Sequence, residues 1–258
     1  VSQSFTVTCS PDHAQILAQI ALEDLTCCEE AVPEGLWPEG TLHYYRAGVS
    51  CRAVEITREA GRLEIRALAC SCPEDIDLAN RFLSAFGATG AFEDRGQADL
   101  RALSGEISRS GQTFTMDGPV RPFHIGPRLL SEIGEHPERL YQAMRRVQYV
   151  EDAFAANVLQ VAAPEPFTVT GWTKGVRTLF PAVDYVVLED NIFLPSVALP
   201  QVVGERFQWL DEKQSLVEPF EGEDWKRLLE RVQPHRAYPV DPPRAKPERP
   251  WWRFWSHS

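Results

Sequence analysis

Three groupings of residues carry side chains that chemistry uses. His124 stands between Arg121 and Arg128, with Asp117 upstream. Such a set can hold a phosphate or carboxylate on its guanidinium groups while the imidazole acts as acid or base. The same stretch, residues 118–128, is punctuated by Gly118, Pro119, Pro122, Gly126 and Pro127. The favoured reading is a stiff connector in which His124 satisfies a backbone carbonyl and Arg128 faces solvent, because an active site needs converging groups that one segment does not supply.

The second grouping is the cysteines, Cys9, Cys27, Cys28, Cys51, Cys70 and Cys72, all within the first 72 residues. A disulfide scaffold of this length would spread them, so reduced thiols are expected. Cys27-Cys28 and Cys70-Ser71-Cys72 lack the two-residue gap of zinc knuckles, and only His13 and His43 lie nearby. They read as small buried hydrophobes, with no metal site. Cys27 and Cys28 fall at the C-terminal end of an expected helix, where the dipole raises a thiol pKa and argues against a nucleophile.

The third grouping is the adjacent acids Glu93-Asp94, Glu189-Asp190 and Asp211-Glu212 at expected strand ends. Paired carboxylates can hold a metal or move protons. Strand neighbours point to opposite faces, however, so each doublet offers one carboxylate to a given site. Phosphate loops, dinucleotide fingerprints, nucleophile elbows and paired-histidine metal motifs are missing from the sequence. No catalytic residue and no cofactor are therefore expected.

Charge points to binding instead. The chain carries 26 Lys and Arg against 37 Asp and Glu, a net charge of −11. From residue 235 onward there are five bases and two acids, a surplus of +3, so residues 1–234 hold 21 bases and 35 acids, or −14. An acidic body repels nucleic acid, whose phosphates need clustered Lys and Arg. It suits a basic protein partner, with Glu93, Asp94, Asp211 and Glu212 as the expected contacts. Solubility alone accounts for the charge equally well.

The elements that must position these groups read as α+β, with mixed, mostly antiparallel sheets and flanking helices. Phe5, Val7 and Cys9 alternate with threonines as a strand, and Ile16, Leu17, Ile20 and Leu25 mark a helix. Strands are expected at about 42–46, 51–57 and 63–70, the last two joined at Glu59-Ala60-Gly61. Pro73-Glu74-Asp75 opens a helix with core positions Ile76, Ala79, Phe82, Leu83 and Phe86, after which Ala91-Phe92-Glu93 returns to the sheet. A polar helix follows at about 97–107 and a strand near 113–116. The texture shift at 117 suggests a first unit over 1–117 and a second over 118–234. In the second, 129–133 and 137–159 read as helices, 167–172, 184–189 and 207–210 as strands, and 199–203 and 225–232 as helices. Both halves echo a strand, helix, strand order, which sets duplication against the chance recurrence of a common unit.

The end of the chain, residues 235–258, is a basic, proline-rich tail closing on Pro250-Trp251-Trp252-Arg253-Phe254-Trp255. Five prolines from Tyr238 to Pro250 deny it a helix or central strand. Trp251, Trp252 and Trp255 either dock on the body or meet a partner. No run is long and apolar enough to span a membrane, and Val1-Ser2-Gln3-Ser4-Phe5 lacks the pattern of a signal peptide, so a cytoplasmic location is expected.

Size, acidic balance, α+β pattern and lack of an evident active site together resemble the bacterial immunity proteins that neutralise toxins delivered by type VI or contact-dependent systems. The tryptophan-rich end looks like short ends found on assorted bacterial proteins. This resemblance is one of type and carries over no residue. It implies a non-catalytic inhibitor that binds a toxin, such as a nuclease, directly. A chaperone or adaptor for secreted cargo, and an enzyme built around His124, are the alternatives.

Overall fold

Arg62-Leu63-Glu64-Ile65-Arg66-Ala67 alternates polar and apolar residues, and in the computed structural model it is a strand whose side chains alternate exposed and buried throughout. The structure describes residues 2–8, 11–29, 35–189, 192–237 and 239. They divide into two compact units, one formed by Val1–Glu151 with Trp209–Gln214, the other by Asp152–Gln208 with Ser215–Ser258. The first unit thus runs past the boundary expected at 117 and takes back a six-residue insert from late in the chain.

In the first unit β1 (Gln3–Val7), α1 (His13–Ile20), β2 (Leu25–Cys27), β3 (Gly40–Arg46), β4 (Val54–Glu59) and β5 (Arg62–Ala67) are followed by α2 (Pro73–Ala85) and α3 (Gly96–Ser110). Then come β6 (Phe114–Met116), β7 (Phe123–Ile125), α4 (Pro127–Ile133) and α5 (Pro137–Gln148). The five strands form an antiparallel sheet in the order β1-β5-β4-β3-β2, while β6 and β7 pair separately. The turn at Ala60-Gly61 has φ of 49° and 78°, the pair of positive values that a two-residue hairpin matched to strand twist requires. Trp37, Tyr44, Ile56, Leu63, Ile65, Phe82 and Phe86 make the core between sheet and helices. Trp37 is fully buried, with the rings of Tyr44, Phe82 and Phe86 around it.

Four expectations change. α1 ends at Ile20, and Ala21 takes a left-handed φ of 49° that closes the helix, so Leu25 starts a strand. Cys51 and Arg52 lie in the turn before β4 rather than in it. Phe92 does not rejoin the sheet; its N–H and carbonyl are taken by the side-chain amide of Asn80. α5 stops at Gln148 instead of continuing to 159. Tyr149 leaves the helix as its hydroxyl reaches the carbonyls of Arg46 and Ser50, and Asp152 sits at φ 52°, where no helix continues.

The second unit contains β8 (Phe154–Ala155), β9 (Leu159–Val161), β10 (Phe167–Trp172), β11 (Thr178–Pro181), β12 (Tyr185–Leu188), β13 (Ile192–Pro195), α6 (Leu199–Val203), β14 (Phe207–Trp209), β15 (Gln214–Val217) and α7 (Gly222–Val232). Its sheets run β13-β12-β10-β9 and β14-β15-β11-β8, with parallel pairs β10/β12 and β8/β11. A core of Trp172, Phe180, Phe220, Trp225 and Leu228 joins them to α6 and α7. The α+β class holds in both units, but their topologies differ, so the echo seen in sequence is two common arrangements rather than one repeated fold. Among the described residues no helix is long and apolar enough to cross a membrane.

Candidate functional site

The N-terminal turns of α2, α3 and α5 supply most of the wall of a cavity of about 460 Å³ in the first unit, lined by Pro73, Glu74, Asp94, Gly96, Gln97, Pro137, Glu138, Tyr141, Gln142 and Arg145. Each helix begins for a local reason. Proline occupies the first turn of α2 and of α5, where its missing N–H costs nothing. The side chain of Asp94 accepts the N–H of Gly96 at 2.9 Å where α3 starts. In α5 the residues Glu138, Tyr141, Gln142 and Arg145 recur at three- and four-residue spacing and so share one face.

Three carboxylates, from Glu74, Asp94 and Glu138, face one guanidinium, from Arg145. Arg145 is already engaged, since its Nη2 pairs with Glu74 and its Nε donates to the carbonyl of Val49 at 2.6 Å. Burial by itself would raise the Glu74 pKa, but hydrogen bonds and the Arg145 charge hold it below the usual value. The phenol of Tyr141 is 5% exposed and its hydroxyl has no hydrogen-bond partner among the described residues. Burial, followed by the charge of Asp94, pushes its pKa well up, so it stays a neutral donor and acceptor. A side chain on Gly96 could not be accommodated, because a Cβ there would lie 1.8 Å from the Tyr141 hydroxyl. The cavity therefore presents an unneutralised pair of acids, with the Tyr141 hydroxyl buried behind them against Gly96, a setting for an ammonium or guanidinium group.

A cavity of about 600 Å³ in the second unit has a different balance, with Arg206, Arg227 and Arg231 against Glu205, Asp224 and Glu230. Arg206 pairs with Asp224 at 2.6 Å and lies over the Phe220 ring. Its charges are already matched, which leaves the first cavity as the site with unmet demand.

Of the acids singled out from sequence, only Asp94 lines the cavity. Glu93 is exposed, and its backbone N–H and carbonyl bond to the side chain of Gln3. Asp211 and Glu212 are corrected as surface contacts, because both turn into the first unit. Asp211 is fully buried and accepts N–H groups from His124, Lys213 and Gln214 and from the Gln214 side chain. Glu212 takes the N–H of Leu129 at 3.0 Å and of Arg128 at 3.4 Å, capping the start of α4. Trp251, Trp252 and Trp255 lie outside the described residues.

The grouping around His124 does not converge. Its Nδ1 meets Thr115 at 3.0 Å, while its N–H and carbonyl bond to Asp211 and to the N–H of Glu212. Burial lowers its pKa against the pull of Asp211. The backbone of Arg121 is clasped by Gln148, and Arg128 stacks over Trp209, with a hydrogen bond to the Asp211 carbonyl and an ion pair to Glu132. Cys27 lies in a strand, not at a helix end, yet its thiol is still held protonated. Burial, aided by Glu29, pushes Cys27 up to about 11, and burial with the same carboxylate does so for Cys28.

Sequence reasoning missed Glu74, Glu138, Tyr141 and Arg145. The helical spacing within α5 was the available signal, but the face it defines looks like any solvated helix face until α2 and α3 are placed opposite. No protein-family model, curated protein or solved structure matches the chain.

Proposed function

We propose that this chain is a non-catalytic, cytoplasmic binding protein that neutralises a basic protein toxin by covering its surface, as the immunity proteins it resembles in type do. The acid-lined cavity with the partnerless Tyr141 phenol carries this reading. It lies in the unit that holds most of the charge, with 24 Asp and Glu against 15 Lys and Arg, or −9, whereas the remainder has 13 against 11, or −2. Such a field raises the encounter rate with a cationic partner, and the cavity then receives one of its Arg or Lys side chains between Asp94, Glu138 and Tyr141. In a nuclease toxin that side chain would belong to the phosphate-binding surface, so occupying it blocks substrate without chemistry.

The test uses the protein encoded beside this chain's gene, purified and measured for binding. Association should slow steeply as salt rises while dissociation changes less. Asp94→Asn with Glu138→Gln should slow association by roughly tenfold at low salt. A salt-independent rate unaffected by the double substitution would remove the cavity and the charge from recognition.

A further inference from the structure

Cys72 is the residue before α2 and Asp75 lies in its first turn, three residues on, so their side chains share one face of the helix start. The turn between β3 and β4 brings Cys51 to the same point. We infer that Cys51, Cys72 and Asp75 form a buried binding site for one zinc ion.

The two sulfurs and a carboxylate oxygen lie within 4.8 Å of one another, and all three residues are buried. Zn–S bonds of about 2.3 Å in a tetrahedron set ligand sulfurs roughly 3.8 Å apart, a contraction that side-chain torsions can supply. Two thiolates with one carboxylate suit zinc better than calcium or magnesium, which select oxygen.

The carboxylate of Asp75 provides an independent reason. Its Oδ2 accepts the N–H groups of Cys51, Arg52 and Cys72 at 2.9–3.2 Å, and the thiol of Cys72 at 3.1 Å. Its Oδ1 makes no hydrogen bond of normal geometry among the described residues, although Asp75 is completely buried and the Ser50 hydroxyl acts on the carboxylate. Helix capping accounts for Oδ2 alone. A buried acceptor so weakly met is costly unless something binds it, and backbone donors fixing one oxygen is how an orienting shell presents a ligand carboxylate.

Each thiol gives its proton to solvent as its metal–sulfur bond forms, with no change of oxidation state. Two thiolates and Asp75 carry −3, of which the dication offsets two, and Arg145, shared with Glu74, acts on both sulfurs from nearby. The fourth position takes a water, with the carbonyl of Tyr141, now 3.5 Å from the Cys51 sulfur as its acceptor, to receive the hydrogen. This site is independent of the partner proposed above, and it ties the first turn of α2 to the turn before β4.

Cobalt(II) alone is the probe, added to the reduced, metal-free full chain. One ion per chain should produce a thiolate-to-cobalt charge-transfer band and the intense visible bands of tetrahedral cobalt, both abolished by one equivalent of zinc. Cys51→Ser and Cys72→Ser should each remove the bands, whereas Cys27→Ser with Cys28→Ser should keep them. On the unmutated protein, zinc should slow alkylation of Cys51 and Cys72 together by more than tenfold and leave that of Cys70 unchanged, a readout that does not depend on any variant folding. The inference is overturned by a folded chain that shows no bands, by bands that survive both single substitutions, by equal alkylation with and without zinc, or by a Cys51–Cys72 disulfide in the freshly purified protein.

Discussion

The carboxylate of Asp211 accepts the backbone N–H of His124 at 2.9 Å across 87 residues of sequence. With Lys213 and Gln214 supplying three further N–H donors at 2.7–2.8 Å, one side chain organises both the 209–214 insert and the start of β7. Asp211→Ala should leave these buried donors unmet and lower stability by about 3 kcal/mol, measured by denaturant unfolding. A loss below about 0.5 kcal/mol, the range of ordinary surface substitutions, would mean that the insert is held by other contacts.

Gly96 is required by its neighbour. Because a Cβ at this position would overlap the hydroxyl of Tyr141, Gly96→Ala should destabilise the chain by about 1–3 kcal/mol. In the Tyr141→Phe background the cost should shrink, and a double-mutant cycle reads the coupling directly. Strictly additive losses would place the strain elsewhere.

Acid should loosen the first unit through its buried histidines. His13 is buried against the Trp37 ring at 4.7 Å and hydrogen-bonded to the Tyr44 hydroxyl; burial lowers its pKa below 6.5 despite Asp12. Burial lowers His124 as well. Below pH 6.5 the unfolded chain takes up protons that the folded chain refuses, so stability is complete above that pH and falls as pH drops toward the folded values. The melting temperature should therefore decline between pH 7.5 and 5.5, and His13→Gln should flatten the slope. An unchanged slope in this variant would assign the effect to other groups.

Asp184 predicts a loss at lower pH. The Thr168 N–H and hydroxyl donate to its carboxylate at 2.7 and 2.8 Å and depress its pKa from 3.8. Its contribution is present above the unfolded pKa and disappears as pH falls through the folded one. Thr168→Val should reduce stability at neutral pH and converge with the parent in strong acid. Parallel unfolding curves across that range would show that the pair contributes nothing.

What could be read without coordinates is what depends on neighbours along the chain. The alternation of Leu63, Ile65 and Ala67, the turn at Ala60-Gly61 and the Pro73-Glu74-Asp75 helix start all express local periodicity and backbone preference, and each appears where it was expected. The excess of acid, and the weakness of Cys27 and Cys28 as nucleophiles, were legible in the same way, although burial rather than a helix dipole is what holds those thiols protonated. Tertiary structure decided which acids face outward. Asp211 and Glu212 look like solvated turn residues until unpaired N–H groups at His124, Arg128 and Leu129 are brought to them from more than 80 residues away. The end of α5 was settled by carbonyls of Arg46 and Ser50 drawing Tyr149 aside. The meeting of Cys51 with Cys72 and Asp75, and of Tyr141 with Gly96 and Asp94, likewise exists only in the folded chain. Hydrogen-bond demand and close packing act through space over a few ångströms, and a sequence records only separations along the chain.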